Sequence, residues 1–256
     1  DPEMMLKASR KILDIAKVSF LDVNAACPAK KVVKKGAGAY LLVNDQDLFS
    51  IIKKLALSLP VPVTVKIRVG YEKRDPEAIA KIARGCQESG ASAIFVHGRT
   101  RSEGYAGTVD YDSIRVVKET VKIPVFASGN IFNGALAEKA IKATGCDGIL
   151  VARGALGNPW IFEEIAGYLK GETTPQPVDI EIKKSVLIKH LSYIMEYKDL
   201  TPSGKVGYMR KFVMWYLKGV PGAKRIREKT CSARTFDELI ELVNTMVAEK
   251  LLVGDV

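Results

Sequence analysis

A chain of 256 residues, 47% hydrophobic and 27% charged, has the balance of an ordinary globular protein, with room for one large domain or one plus a smaller appendage. Its apolar runs break well short of the ~18 residues a membrane span needs, and no charged-then-apolar signal segment opens it, so neither a membrane nor export is implied. The formal charge of +10 favours polyanionic partners, and most of it sits in Gly204–Arg234, where Lys205, Arg210, Lys211, Lys218, Lys224, Arg225, Arg227, Lys229 and Arg234 face one acid, Glu228.

In chain order, an amphipathic helical pattern over Met4–Ala16 leads into a β-branched run at Val18–Val23. Helices at Gln46–Leu57, Pro76–Ser89, Tyr111–Thr120 and Gly134–Ala143 then alternate with strands at Val63–Arg68, Ala93–His97, Val125–Ala127 and Gly148–Val151. Continuous apolar strands between helices predict a parallel sheet covered on both faces. Pro76 suits a helix start and Gly90 the position just past its end. After about Pro175 the pattern is helical only: Ile180–Tyr197, Gly204–Leu217 and shorter helices to Lys250. The polar stretch Gly171–Pro177, with Pro175 and Pro177, marks the boundary, giving an α/β domain over 1–170 and an all-helical domain over 178–256.

Polar clusters follow each strand: Asn24-Ala25-Ala26-Cys27, Lys66-Ile67-Arg68, His97-Gly98-Arg99-Thr100, Ser128-Gly129-Asn130 and Ala152-Arg153-Gly154. Functional groups at successive strand ends suit a TIM barrel, whose βα loops share one face. Five strands are too few for eight, so the barrel is incomplete here or the sheet is open. Ser128-Gly129-Asn130 and Ala152-Arg153-Gly154 each lead into a helix, where free N–H groups and Arg153 can bind phosphate; tight turns are the alternative for these glycines.

Lys66 interrupts an otherwise apolar strand, which implies an anionic partner or a strand-end side chain reaching solvent. His97 ends a strand beside a Gly-Arg-Thr loop; His190 sits in a helical pattern away from any such cluster and reads as structural. The four cysteines are far apart, with no C-x-x-C pair, so neither a zinc site nor a disulfide framework fits, and reduced thiols in a cytosolic protein are expected. Cys27 precedes a loop rich in lysine, a setting for chemistry; Cys86, Cys146 and Cys231 read as buried structural thiols.

Taken together, Asp22–Pro28 (DVNAACP), Lys31-Val32, Gly36–Ala39 with Leu41-Leu42, Val63–Gly70 (VTVKIRVG), His97–Thr100, Ser128–Ile131 and Val151–Trp160 (VARGALGNPW) resemble the signature of tRNA-dihydrouridine synthases. Met209-Arg210-Lys211 with Trp215-Tyr216 resembles the bacterial C-terminal helical domain of that family. The resemblance covers essentially the whole chain and implies a cytoplasmic FMN enzyme that reduces tRNA uridine to 5,6-dihydrouridine, with NADPH as reductant and neither a metal nor a protein partner. Hydride from reduced flavin would reach C6 and the Cys27 thiol would protonate C5; a thiol pKa of roughly 8.5 suits that role, while nearby lysines pull it down. Lys66 and His97 would contact the flavin ring. Ser128, Gly129, Asn130, Ala152 and Arg153 would hold its phosphate, and Asn24 and Arg99 would address the nucleotide. The basic helical domain, through Lys205, Arg210, Lys211, Lys224, Arg225 and Arg227, would grip the RNA, whose target base must leave its stack. Tyr208, Phe212, Trp215 and Tyr216 stand among those charges, and for most of them a place in the helical core is expected.

Three departures stand against the family pattern. Ala26 replaces a usual Gly, Ser128-Gly129-Asn130 replaces Asn-Gly-Asp or Asn-Gly-Gly, and three further strands, with a Pro-Met-Ala turn and a flavin-contacting Gln, are expected before Asp1. A shortened chain is therefore expected to expose apolar edges and hold FMN poorly. Two other readings are open. One is an FMN barrel oxidoreductase acting on a small pyrimidine-like substrate, which the basic helical segment disfavours. The other is a non-catalytic RNA-binding module, which leaves Cys27, Lys66 and His97 without a purpose.

Overall fold

The computed structural model describes residues 1–172, 178–220 and 222–246. The chain divides into two compact units, Asp1–Ala152 and Arg153–Val256. Pro175 and Pro177, on which the expected boundary rests, and the expected helical residues beyond 246 lie outside the described residues.

The first unit is an α/β layer. Helix α1 (Pro2–Ile15) starts where Asp1 accepts a hydrogen bond from the Met4 N–H at 2.8 Å, with Pro2 in the first turn. Strand β1 (Leu21–Asn24) follows, then a one-turn α2 (Lys30–Val33), a 3-10 turn over Gly38–Leu42 and α3 (Asp45–Ser58). From there strands and helices alternate: β2 (Val63–Arg68), α4 (Pro76–Glu88), β3 (Ala93–His97), α5 (Tyr111–Thr120), β4 (Val125–Ser128), α6 (Gly134–Thr144) and β5 (Gly148–Leu150). Asp75, Asp110 and Asn133 cap α4, α5 and α6 through side-chain oxygens that accept from backbone N–H groups.

The first strand begins three residues later than its β-branched pattern predicts. Leu21 N–H donates to the Pro62 carbonyl at 3.0 Å, the first bond of the β1–β2 ladder, and Pro62 has no N–H with which to extend it backwards. Phe20, left outside the ladder, stacks on Phe95 with ring centroids 6.5 Å apart.

All five strands are parallel and their order is sequential, β1-β2-β3-β4-β5. A doubly wound sheet reverses its order at a switch point; this one does not. With right-handed crossovers, a sequential order puts every connecting helix on the same side. The core accordingly lies on one face, where Val23, Val65, Ile67, Ile94 and Val96 meet Leu48, Ile52, Ile79 and Ile114 from α3, α4 and α5. The helices whose alternation with strands the sequence predicts thus pack on one face of the sheet within this unit. The alternate residues, which the pleat sends to the opposite face, are of another kind: Asp22, Asn24, Thr64, Lys66, Arg68, Phe95, His97, Phe126 and Ser128.

Among the described residues the second unit has helices and no strands. After a 3-10 turn at Arg153–Ala155 come α7 (Ile161–Leu169), α8 (Ile180–Tyr197), α9 (Pro202–Tyr216), α10 (Ala223–Ser232) and α11 (Phe236–Asn244). Sequence reading missed α7, a helix of nine residues. Leu187, Leu191, Met209, Val213, Leu239 and Val243 form the centre of this unit's own core. Asp179, Thr201 and Thr235 cap α8, α9 and α11.

Candidate active site

Cys27 leaves β1 on a turn that its own neighbours hold. The Asn24 side-chain oxygen accepts from the N–H groups of Ala26 at 3.0 Å and Cys27 at 3.1 Å, an Asx-type turn that fixes the loop directly after the strand. The Cys27 carbonyl accepts from Ala39 N–H at 3.0 Å, tying the turn to the 3-10 segment. Gly38, at φ +61, packs so closely that an added Cβ would lie 2.8 Å from the Cys27 oxygen and 3.0 Å from the Cys27 Cβ. The thiol itself is half-buried and free of any disulfide.

Arg68 binds this loop to the next two. Its side chain is 2% exposed and donates to the carbonyls of Ala26 (2.8 Å), Thr100 (2.9 Å) and Gly104 (3.0 Å). Burial lowers its pKa, with Tyr105 acting the other way. Sequence reading quoted Arg68 without giving it a role. The signal was there: Lys66 and Arg68 are two apart in a strand, so they share a face.

Along that face the register aligns Asp22 with Thr64, Asn24 with Lys66 and Phe95, and Arg68 with His97 and Ser128. Lys66 is half-buried rather than reaching into solvent, and burial lowers its pKa, helped by Arg68 and opposed by Asp22. Asp22 accepts from the Thr64 hydroxyl at 2.8 Å. Although it keeps solvent access, its surroundings raise its pKa through desolvation, which outweighs the lowering by Thr64 and Lys66. Phe95 and Phe126 stack beside this row, centroids 5.0 Å apart.

His97 is 7% exposed, with its Nε2 3.4 Å from an Arg99 guanidinium nitrogen. Arg99 turns inward and is 1% exposed. It donates to the carbonyls of Ala106 at 2.7 Å and Gly107 at 2.8 Å, so in this structure it folds its own loop. Arg74 braces the same loop from the β2–α4 connection, reaching Glu103 at 2.7 Å and the Thr108 carbonyl at 3.0 Å. Ser128 is buried, Gly129 adopts φ +132 and Asn130 stands in the left-handed region at φ +52, a conformation asparagine tolerates best among residues with a side chain. A Cβ on Gly129 would lie 2.9 Å from Val109 and 3.3 Å from His97, so a side chain there would disturb both. Ala152 closes the first unit and Arg153 opens the second; both are exposed.

The basic candidates of the second unit divide into two groups. Lys205 donates to the Met195 carbonyl (2.5 Å), Arg210 to that of Ala233 (3.0 and 2.5 Å) and Arg227 to that of Leu217 (2.8 Å). These carbonyls belong to the C-terminal ends of α8, α10 and α9, where cations satisfy groups the helix leaves unpaired. Lys211, Lys224 and Arg225 are exposed. Tyr216 is buried, and Tyr208 and Phe212 pack on the helical core, which is the place expected for most of those aromatics. His190 lies in α8 with its ring 4.6 Å from that of Phe212.

Of the remaining thiols, Cys86 and Cys146 are buried, and burial pushes Cys86 up to about 12 and raises Cys146. Cys231 is exposed, against expectation, because Thr230 takes the inward position on α10 one residue earlier. Among the described residues no group of three or more His, Cys, Asp or Glu could hold a metal, and no helix is long and apolar enough to cross a membrane.

A free thiol in the loop after β1, with a half-buried lysine and a histidine on one face of a singly wound parallel sheet, is the arrangement of an α/β protein whose strand-end loops can carry chemistry. The model of the dihydrouridine synthase (Dus) family matches residues 1–251, and the chain belongs to that family. It is 40% identical over 231 residues to tRNA-dihydrouridine synthase B of Pseudomonas syringae pv. tomato, covering 89% of this chain and 66% of that protein. The Pseudomonas aeruginosa protein of the same name is 36% identical over 253 residues, covering 98% of this chain and 74% of its own length. That of Shewanella oneidensis is 37% identical over 223 residues, covering 85% and 66%. The chain thus spans about two thirds to three quarters of the length of these relatives. Among solved structures, 2,3-dimethylmalate lyase aligns at a TM-score of 0.40 and 12% identity, over 80% of this chain and 94% of that one, a likeness that carries no argument.

Proposed function

We propose that this chain carries the catalytic sheet and RNA-binding helices of a tRNA-dihydrouridine synthase, with Cys27 as proton donor. The observation that carries the proposal is the Cys27 turn, anchored by Asn24 and packed on Gly38, beside a sheet face bearing Lys66, His97 and Ser128. Family membership and relatives of that name support it.

The sequential strand order, with polar and aromatic groups on the face away from the helices, supports a TIM-type barrel of which these are five strands. That face would line the interior once three further strands closed it. The donor set fits FMN: Lys66 offers a half-buried cation for the ring system, His97 a polar edge in the next row, and Ser128-Gly129-Asn130 a loop for the phosphate. Held by those residues and reduced by NADPH, FMN would supply the hydride equivalent required at C6 of the uracil. Cys27 gives its thiol proton to C5, which balances the addition of hydride across the C5=C6 bond. Asn24 and Arg68 hold the turn so that the sulfur stays near the base. Arg99 acts through the 100–107 loop, which it shapes, rather than by reaching the nucleotide. Lys211, Lys224 and Arg225 contact phosphates, while Lys205, Arg210 and Arg227 hold the helices that present them. A tRNA substrate implies a cytoplasmic enzyme.

The test is the dihydrouridine content, by nucleoside mass spectrometry, of tRNA from cells lacking the full-length gene and complemented with wild type or Cys27→Ala. Loss at a defined position, restored by wild type alone, is expected. Unchanged dihydrouridine with other synthases excluded would overturn the reading in favour of an FMN oxidoreductase of small pyrimidines.

A further inference from the structure

The helical unit carries a cleft that the reaction does not use. It measures 560 Å³ and is lined between α8 and α9 by seven residues, Ile194 and Lys198 with the rings of His190, Tyr193, Tyr197, Tyr208 and Phe212. Five of these seven side chains are rings. Tyr193 and Tyr197 are 49% and 73% exposed, with centroids 6.0 Å apart, so neither is a core residue. Large aromatics gathered at an open surface mark a contact site rather than chance exposure.

Cations surround the rings. The Lys211 ammonium stands 3.6 Å from the Tyr208 centroid, Lys198 lies 5.0 Å from the same ring, and Lys189 lies 5.8 Å from that of Tyr193. Burial lowers the pKa of His190, so at neutral pH it adds a ring and not a charge. Glu196 beside Tyr197 raises the pKa of its hydroxyl, so that ring stays neutral. Stacking faces ringed by lysine suit a planar base attached to a phosphate, and the volume is that of a small-molecule pocket.

We infer that this cleft takes a single unstacked nucleobase of the bound RNA, with its flanking phosphate on Lys198 and Lys211, as a second contact apart from the uridine that is reduced. The inference rests on the RNA-modifying reading above. Stacking makes the site tolerant of base identity and sensitive to loss of the base itself. An acidic or apolar peptide is the competing occupant, and it predicts no base dependence.

The experiment uses the full-length protein and two fluorescein-labelled RNA octamers, oligouridylate and an abasic strand of the same length, with affinity read by anisotropy at two KCl concentrations. Tyr193→Ala with Tyr197→Ala should weaken oligouridylate about tenfold or more, leave the abasic strand within about twofold, and keep the salt slope. Tyr193→Phe with Tyr197→Phe retains the rings and should restore affinity. Equal loss on both strands, or no loss on either, overturns the cleft. Wild-type chain that binds neither octamer nor intact tRNA overturns the RNA reading with it, and so separates the two failures.

Discussion

The two units hold their charged side chains in opposite ways. In the sheet unit Arg68 and Arg99 are buried and bind backbone carbonyls of the loops after β1 and β3, so charge there serves to fix loop geometry. In the helical unit Lys205, Arg210 and Arg227 close helix ends, while Lys211, Lys224 and Arg225 face outward. A strand end offers few places for a side chain, and the pleat decides its direction. A helix surface offers many, so its basic residues divide between capping and display. Net charge alone, +8 over Gly204–Arg234, does not distinguish these uses.

The largest expected effect breaks the sheet side of this contrast at its centre. Cys27→Ala in the full-length protein should lower dihydrouridine formation by about 10²–10⁴-fold, the range for a lost general acid. The denaturation midpoint should hold, because the sulfur makes no disulfide and is only half-buried. Activity within tenfold of wild type would remove Cys27 from the mechanism.

Arg68→Ala tests positioning. It leaves the carbonyls of Ala26, Thr100 and Gly104 without their donor and should cost about 3 kcal/mol of stability in urea titration. Arg68→Lys should recover only part of it, since an ammonium lacks the planar fork. Full recovery by lysine would reduce the role of Arg68 to charge.

The buried thiols give the sheet unit a pH signature. Cys86 is a thiol whose folded pKa, about 12, lies above its unfolded value of 9.0. Above pH 9 the unfolded chain therefore releases this proton first, so stability is full below pH 9 and falls as pH rises towards 12. Comparing Cys86→Ala with wild type across that window isolates the contribution: the variant starts less stable and its slope is shallower. Parallel slopes would show that Cys86 is not desolvated.

The smallest effects sharpen the helical side. Arg210→Ala should lose about 1–2 kcal/mol of stability by uncapping Ala233. Lys224→Ala and Arg225→Ala should each stay within about 0.5 kcal/mol and reduce the salt slope of tRNA binding by about one. If Arg210 instead changed the salt slope and not stability, capping and display would be assigned the wrong way round.

Much of this was legible in the residues. Period and punctuation located all five strands and the long helices, and the resemblance carried by DVNAACP and VARGALGNPW pointed to the family before any coordinates. Short elements were lost: Lys30–Val33 and Gly38–Leu42 carry too few turns to show a period, and the nine residues of α7 went unread. The first strand was placed three residues early because β-branching says where a strand can run and not where a partner such as Pro62 stops the ladder.

Local chemistry written in the chain thus determined the five strands, the long helices and the punctuation of α4 by Pro76 and Gly90, because each depends on residues a few positions apart. Only the tertiary structure decided that the helices of the first unit lie on one side, that Arg68 joins the loops after β1 and β3, and which cations end helices. The bonds of Arg68 and Arg210 join residues 23 to 42 positions apart, and those of Lys205 and Arg227 residues 10 apart, farther than a helix or strand period records the partner of a side chain.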